Sequence, residues 1–310
     1  MEISLSDNLL FTIIIPTYNR ADLVMTTINS VLNQTFNSFE ILLVDDGSTD
    51  NTEEVVKQIK DPRFKYFKKQ NAERGAARNF GIQHAKGQYV TFCDSDDIIF
   101  PEYFSNANQL LKKQGLIPWF HLAYEIRREV GPPVRMTWMD GNFIEYIAKG
   151  NPLSCMGVFV RRDVLEKYPF NENRHLAGSE DWELWLRLAA RYPIVFDSRI
   201  VAALLFHKDR SVMNTNELKL SLRKYLSIGY AFDDVYVQQS FSKYRKIMEA
   251  YFDTYISLHL LLAGSNKKAI RYLFYGFATH PRCIIERRFL AIIKHLLINI
   301  TTRPAKKINY

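Results

Sequence analysis

The amino-acid sequence predicts an α/β protein, with a mostly parallel sheet flanked by helices and a helical C-terminal region. Three observations carry that prediction. Short apolar runs rich in β-branched residues alternate with helix-period segments through the first hundred residues, the pattern of βαβ units. The polar clusters Pro16-Thr17-Tyr18, Asp45-Asp46 and Asp94 to Asp97 each follow a strand signal directly. From about residue 215 onward only helical periodicity is found, with abundant Tyr and Phe.

Taken in order, Phe11 to Ile15 is a β-branched run ended by Pro16. Leu23, Val24, Ile28, Val31 and Leu32 form a helical stripe over 21–33. Glu40 to Val44 is a second strand, stopped by Asp45-Asp46-Gly47-Ser48. Residues 49–60 read as helix, 63–68 as a weaker strand, and 73–85 as an alanine-rich helix. Residues 88–93 read as a fourth strand and 101–113 as a helix. Right-handed crossovers place the strand C-termini on one edge, where ligands of open α/β sheets bind. The middle, 115–213, is mixed: Gly131-Pro132-Pro133 marks a turn, Cys155 to Val160 a strand, and Asp181 to Arg191 a helix. The domain expectation is therefore 1–214 and 215–310, the first with halves of about 1–114 and 115–214.

The 310 residues are 47% hydrophobic and 24% charged, as in ordinary soluble proteins. No apolar run approaches the roughly 18 residues that span a bilayer, and the first residues lack the basic start of a signal peptide. Cys93, Cys155 and Cys283 are too far apart for a zinc pattern or a disulfide framework. The expectation is a cytoplasmic protein. Of the net charge of +8, residues 281–310 supply +6. A nucleic-acid-binding domain would spread its charge over a folded face, so no nucleic acid is expected. Phe289, Ile292, Ile293, Leu296, Leu297 and Ile300 recur at helical spacing within that basic tail. Such a helix either lies against an anionic membrane surface or packs on the protein's own core.

Three carboxylates within Asp94-Ser95-Asp96-Asp97 repel one another unless a cation or donors hold them. Asp-x-Asp spacing suits Mg²⁺ or Mn²⁺, and a solvated turn is the plainer alternative. Tyr18 can stack on a base, or cover the core edge while Asn19 caps a helix. Asp46 can accept from a base or ribose, or form a tight turn with Gly47. Arg78, in Ala-Ala-Arg-Asn-Phe-Gly, can reach a phosphate or a neighbouring acid. Asp181 opens a helix after Gly178-Ser179-Glu180, which suits a general base and equally an ordinary cap by Ser179. His207 is a candidate nitrogen ligand or an ordinary lone histidine.

The order of Pro-Thr-Tyr-Asn-Arg, Asp-Asp-Gly-Ser, Ala-Arg-Asn-x-Gly, Asp-Ser-Asp-Asp and Glu-Asp-Trp-Glu-Leu-Trp-Leu-Arg over residues 10–212 resembles the family 2 glycosyltransferases, which have the GT-A fold. The resemblance implies an inverting, non-processive, metal-dependent enzyme. It would move a sugar from a nucleotide-diphosphate sugar, most commonly a UDP-sugar, to a sugar or lipid-linked glycan. Cell-surface polysaccharide or glycolipid synthesis at the inner face of the membrane is the implied setting. The implied nucleotide-sugar residues are Pro16, Thr17, Tyr18, Asp46, Asn71, Arg78, Asp94 and Ser95. Asp96 and His207 would serve a Mn²⁺ or Mg²⁺ ion, and Asp181 would be the base.

Three departures stand out: Asn171 where members often have Asp, Ala72-Glu73 in place of Gly-Gly, and no Gln-x-x-Arg-Trp after Asp181. A sugar nucleotidyltransferase would show a Gly-rich basic loop after the first strand, where this chain has Pro16-Thr17-Tyr18-Asn19. A non-catalytic nucleotide-sugar-binding protein is the other alternative. A Rossmann dehydrogenase lacks support, because no Gly-x-Gly-x-x-Gly follows an early strand.

Overall fold

The computed structural model describes residues 9–128, 131–136, 141–206, 216–285 and 287–301. The chain runs β1 (Phe11–Thr17), α1 (Ala21–Leu32), β2 (Phe39–Asp45), α2 (Thr52–Val56), β3 (Phe64–Lys68), α3 (Glu73–His84) and β4 (Tyr89–Phe92). Next come β5 (Ile98–Ile99), α4 (Tyr103–Gln114), β6 (Trp119–Arg127), β7 (Val134–Met136), α5 (Phe143–Ala148), β8 (Val158–Arg161), α6 (Arg162–Lys167), α7 (Glu180–Ala189) and β9 (Val195–Leu205). The helices α8 (Glu217–Phe232), α9 (Val235–Phe241), α10 (Arg245–Leu262), α11 (Asn266–Thr279) and α12 (Arg287–Thr301) follow. Two compact units result, 1–141 with 153–210, and 142–152 with 211–310. The segment 142–152, inside the first domain by sequence, groups with the second unit.

The first unit is a mixed sheet in the order β3-β2-β1-β4-β8-β6-β9-β5, with β7 on β6. Its first four strands are parallel, as the βαβ alternation requires. Every residue of β1 and β2 is buried, which explains their near-continuous apolar runs. β8 then joins β4 antiparallel. The strand expected over 155–160 splits: Cys155–Gly157 form a 3₁₀ turn, and β8 begins at Val158. The helix expected over 49–60 contracts to five residues. β6 and β9 pair parallel with two register shifts near Ala123, and neither was marked as a strand by the sequence.

The second unit centres on α10. Leu220, Ile256, Leu260, Leu261, Ala269 and Ile292 form its core. Ile292 is fully buried and Leu296 packs beside it. Part of the α12 stripe therefore serves the unit's own core, whereas Leu290, Leu297 and Ile298 are exposed. Among the described residues, no helix is long and apolar enough to cross a membrane.

Candidate active site

The loops after β1 and β2 interlock at the strand C-terminal edge. Asn19 takes a positive φ of 51°, a conformation that asparagine tolerates better than most residues. Its backbone N–H donates to Ser48 Oγ at 2.9 Å, and its side-chain Oδ1 accepts from Thr49 N at 2.8 Å. Pro16 and Thr17 end β1 inside the sheet, and the Thr17 hydroxyl is buried without a hydrogen-bond partner. Tyr18 is 48% exposed, so its ring is open to stacking.

Asp46 is buried and already holds the next loop. Its Oδ1 accepts from Lys69 Nζ at 2.7 Å and Ala72 N at 3.0 Å, and its Oδ2 from Glu73 N at 2.8 Å. Asn71 donates to the Asp46 carbonyl at 2.9 Å and accepts from Arg174 at 2.7 Å. Glu73 sits at φ 73°, where glycine would be unstrained and other residues pay about 1 kcal/mol. The Ala72-Glu73 departure thus falls on a backbone position that favours glycine.

Helix α3 lies close on β1 because it is built from small residues. A Cβ at Gly81 would approach Ile14 Cγ2 to 2.6 Å. Asn79 ties α3 to the segment before α7, donating to Phe170 O and accepting from Phe170 N, both at 2.9 Å. Asn171 accepts from Asn173 N at 2.9 Å, so that departure belongs to a turn.

Arg78 is the hub of the site, with only 1% of its surface exposed. The sequence offered it a phosphate or an acid, and the structure supplies two acids. Nη1 donates to Glu180 Oε1 at 2.6 Å and Nη2 to Asp94 Oδ1 at 3.0 Å.

After β4, Asp94, Asp96 and Asp97 each offer an oxygen within 4.8 Å of the others. They are not equivalent. Asp94 is engaged by Arg78, and the buried Asp97 accepts from Leu205 N at 2.9 Å at the end of β9. Ser95 is buried, while Asp96 is only partly so. The oxygen donor set suits a hard divalent cation, and Asp94 and Asp96 are its two partly exposed members. His207 lies outside the described residues, two positions past Leu205.

At the start of α7, the expected cap is replaced. Ser179 makes no side-chain cap bond. Instead Glu180 Oε2 reaches back to Gly178 N at 2.6 Å and Ser179 N at 3.1 Å. Asp181 Oδ1 accepts from Trp182 N at 2.8 Å, and the Cys155 thiol lies 3.8 Å from its Oδ2. Burial first, then the charge of Glu180, push the Asp181 carboxyl up to about 6, against the pull of Arg78. Burial would raise Glu180 too, but Arg78 and then Arg74 outweigh it and hold it below its ordinary value. Two neighbouring carboxylates are thus driven apart, an arrangement that separates acid and base roles. The sequence reading missed Glu180 and Cys155, since nothing local marks a contact with Arg78 or Asp181.

A mixed sheet of this order, with an acid cluster at its strand ends, defines the chain as a GT-A-type protein. S. aureus TarS residues 1–349, in complex with UDP-GlcNAc, superposes with a TM-score of 0.61 over 88% of this chain and 92% of that one, at 18% identity. The mannosyltransferase PcManGT from Pyrobaculum calidifontis, with GDP-Man and Mn²⁺, gives 0.60 over 96% and 88%, at 17% identity. The profile of Glycosyl transferase family 2 matches residues 12–169, and the chain belongs to that family. An uncharacterised glycosyltransferase of Rickettsia conorii is 31% identical over 74% of this chain and 38% of its own length. Matches to two further rickettsial relatives cover 31% and 36% of theirs. A UDP-Glc:α-D-GlcNAc-diphosphoundecaprenol β-1,3-glucosyltransferase of Escherichia coli is 31% identical over 59% of this chain and 70% of its own length.

Proposed function

We propose that this chain transfers a sugar from a nucleotide-diphosphate sugar to an acceptor hydroxyl, with inversion at the anomeric carbon. One observation carries the reading: the buried Arg78 guanidinium joins the acid cluster after β4 to the start of α7, which bears Asp181. A carboxyl raised to about 6 is matched to taking a proton near neutral pH. Asp181 takes the proton of the attacking hydroxyl while the sugar–phosphate bond breaks on the opposite face, and the diphosphate leaves with that bond's electron pair. A Mn²⁺ or Mg²⁺ ion held by Asp96, with Asp94 beside it, would supply Lewis-acid stabilisation of the departing charge. Tyr18 stacks on the base, and the buried Thr17 hydroxyl and the Asp46 loop line its edge. UDP is the favoured nucleotide because the E. coli relative and TarS are both named with UDP-sugars. The same relative's diphosphoundecaprenol acceptor favours a lipid-linked glycan here, within polysaccharide or glycolipid synthesis. Asp181→Asn should lose transfer by a factor of about 10² or more while still binding donor, and EDTA should abolish turnover. Near-wild-type transfer by the variant would assign the base elsewhere, and full activity in chelator would remove the ion.

We further infer that the C-terminal helices meet an anionic membrane at its inner face. Among the described residues, ten of the nineteen exposed large hydrophobic side chains lie between Leu262 and Ile298. From Thr254 to the end the sequence carries ten lysines and arginines and a single acid, Glu286. Exposed apolar groups interleaved with basic ones suit a lipid interface. The protein should float with phosphatidylglycerol vesicles, less at high salt, and Leu290→Glu with Leu297→Glu should release it. Equal flotation of the double variant would reject this contact.

A further inference from the structure

The helical unit contains a buried charge that the transferase reading does not use. Arg223 lies on α8 with 7% of its surface exposed. Its Nε and Nη1 are buried, and neither has a hydrogen-bond partner. A guanidinium is rarely taken from water without a counter-charge or acceptors, because the desolvation is costly. Asp253, on the adjacent α10, is engaged by Lys224 at 2.6 Å rather than by Arg223.

A second guanidinium acts on the same surroundings. Arg288, on α12, lies 5.7 Å from the Tyr255 ring centroid on α10 and donates to Tyr251 O at 2.7 Å. The His259 ring lies 4.0 Å from that of Tyr255. Burial lowers the His259 pKa, and Arg288 and Arg223 press it further down against a backbone hydrogen bond. Burial raises Tyr255, while the same two arginines oppose that rise. Arg223 and Arg288 therefore impose one positive field on one face of α10.

We propose that Arg223, together with Arg288, forms an anion site within the helical unit that takes a phosphate group. The chemistry selects phosphate. Two permanent positive charges match a dianion, and the unpartnered Nε and Nη1 of Arg223 are charged donors that phosphate oxygens can satisfy. Soluble phosphate esters and the phosphate of a prenyl-linked lipid both present that group. The proposal does not rest on the transferase reading, since Arg223 and Arg288 belong to the helical unit and the residues assigned to base, ion and nucleotide do not.

The full chain is titrated with inorganic phosphate and separately with geranyl phosphate, in EDTA and at constant ionic strength, following thermal unfolding and ³¹P line widths. Saturable binding that stabilises the fold is expected. Arg223→Gln should weaken it about tenfold or more, the loss expected when charge-assisted hydrogen bonds are removed. Arg223→Lys should fall between the two. Asp96→Ala should bind as the wild type does, which separates this site from the diphosphate region of the first unit. Tighter binding of geranyl phosphate would assign a lipid source, and equal binding a soluble one. The proposal is overturned if the wild type shows no saturable binding, if Arg223→Gln binds equally, or if Asp96→Ala abolishes binding. Should Arg223→Gln fail to fold, Arg288→Gln at its partly exposed position carries the same comparison. No turnover enters the measurement, so a failed transferase assay would leave its outcome readable.

Discussion

Arg78 and Arg223 are both buried guanidinium groups, one in each unit, and they live in opposite surroundings. Arg78 has carboxylate oxygens at 2.6 and 3.0 Å, and the Phe92 and Phe170 rings beside it. Arg223 has an unpartnered Nε and Nη1 and shares its field with a second arginine. The contrast separates two uses of buried charge. Around Arg78 two carboxylates of its own unit answer the charge, although its Nε too is buried without a partner, so that contact is built before any ligand arrives. In the second unit the balance is left open for a ligand to complete.

The largest test of that contrast is Arg78→Met. It strands Glu180 in the interior, so unfolding should be easier by about 3–5 kcal/mol. Adding Glu180→Leu should recover much of the loss, because replacing a whole buried pair is far milder than breaking it. No recovery in urea unfolding would mean that Arg78 is held mainly by its ring contacts.

A smaller effect sharpens the tuning within the pair. As the proposed base Asp181 works deprotonated, and its folded carboxyl is raised from 3.8 to about 6. Transfer should therefore fall about tenfold per pH unit below that value. The sign for stability is opposite: a raised carboxyl favours the fold below its unfolded value, and that favour is lost as pH rises through about 6. Glu180→Gln should move the acid limb of the rate profile to lower pH, since the Glu180 charge helps hold Asp181 up. An unmoved limb would assign it to another group.

The smallest effect belongs to the other arginine. In phosphate-free buffer, Arg223→Met should leave stability unchanged or raise it by about 1 kcal/mol. A loss as large as that of Arg78→Met would erase the distinction between the two.

Legibility in the sequence followed the same divide between local and distant. β1, β2 and β4 announce themselves because strands buried on both faces are continuous apolar runs ended by Pro or Asp. β6 stayed hidden because His121 and Glu125 break its apolar run, although both are buried. β9 is interrupted by Asp197-Ser198-Arg199, where its register against β6 shifts. The acid cluster was visible, but not the division of labour within it, since the use of Asp97 depends on Leu205, 108 residues away. The Asp46 contacts were equally hidden. Its role in holding the 69–73 loop rests on backbone donors that no residue type reveals.

The Arg78–Glu180 bond spans 102 residues of chain, and this sets an order of events on the ribosome. Asp94 follows Arg78 by only 16 residues, so those two leave the exit tunnel close together. Glu180 and Asp181 are synthesised roughly 5–20 s later at ordinary elongation rates. Throughout that interval the nascent chain carries an arginine with one of its two acids. On the proposed reading, catalytic competence is therefore gained at a single late moment, when α7 docks and brings the group assigned to take the proton.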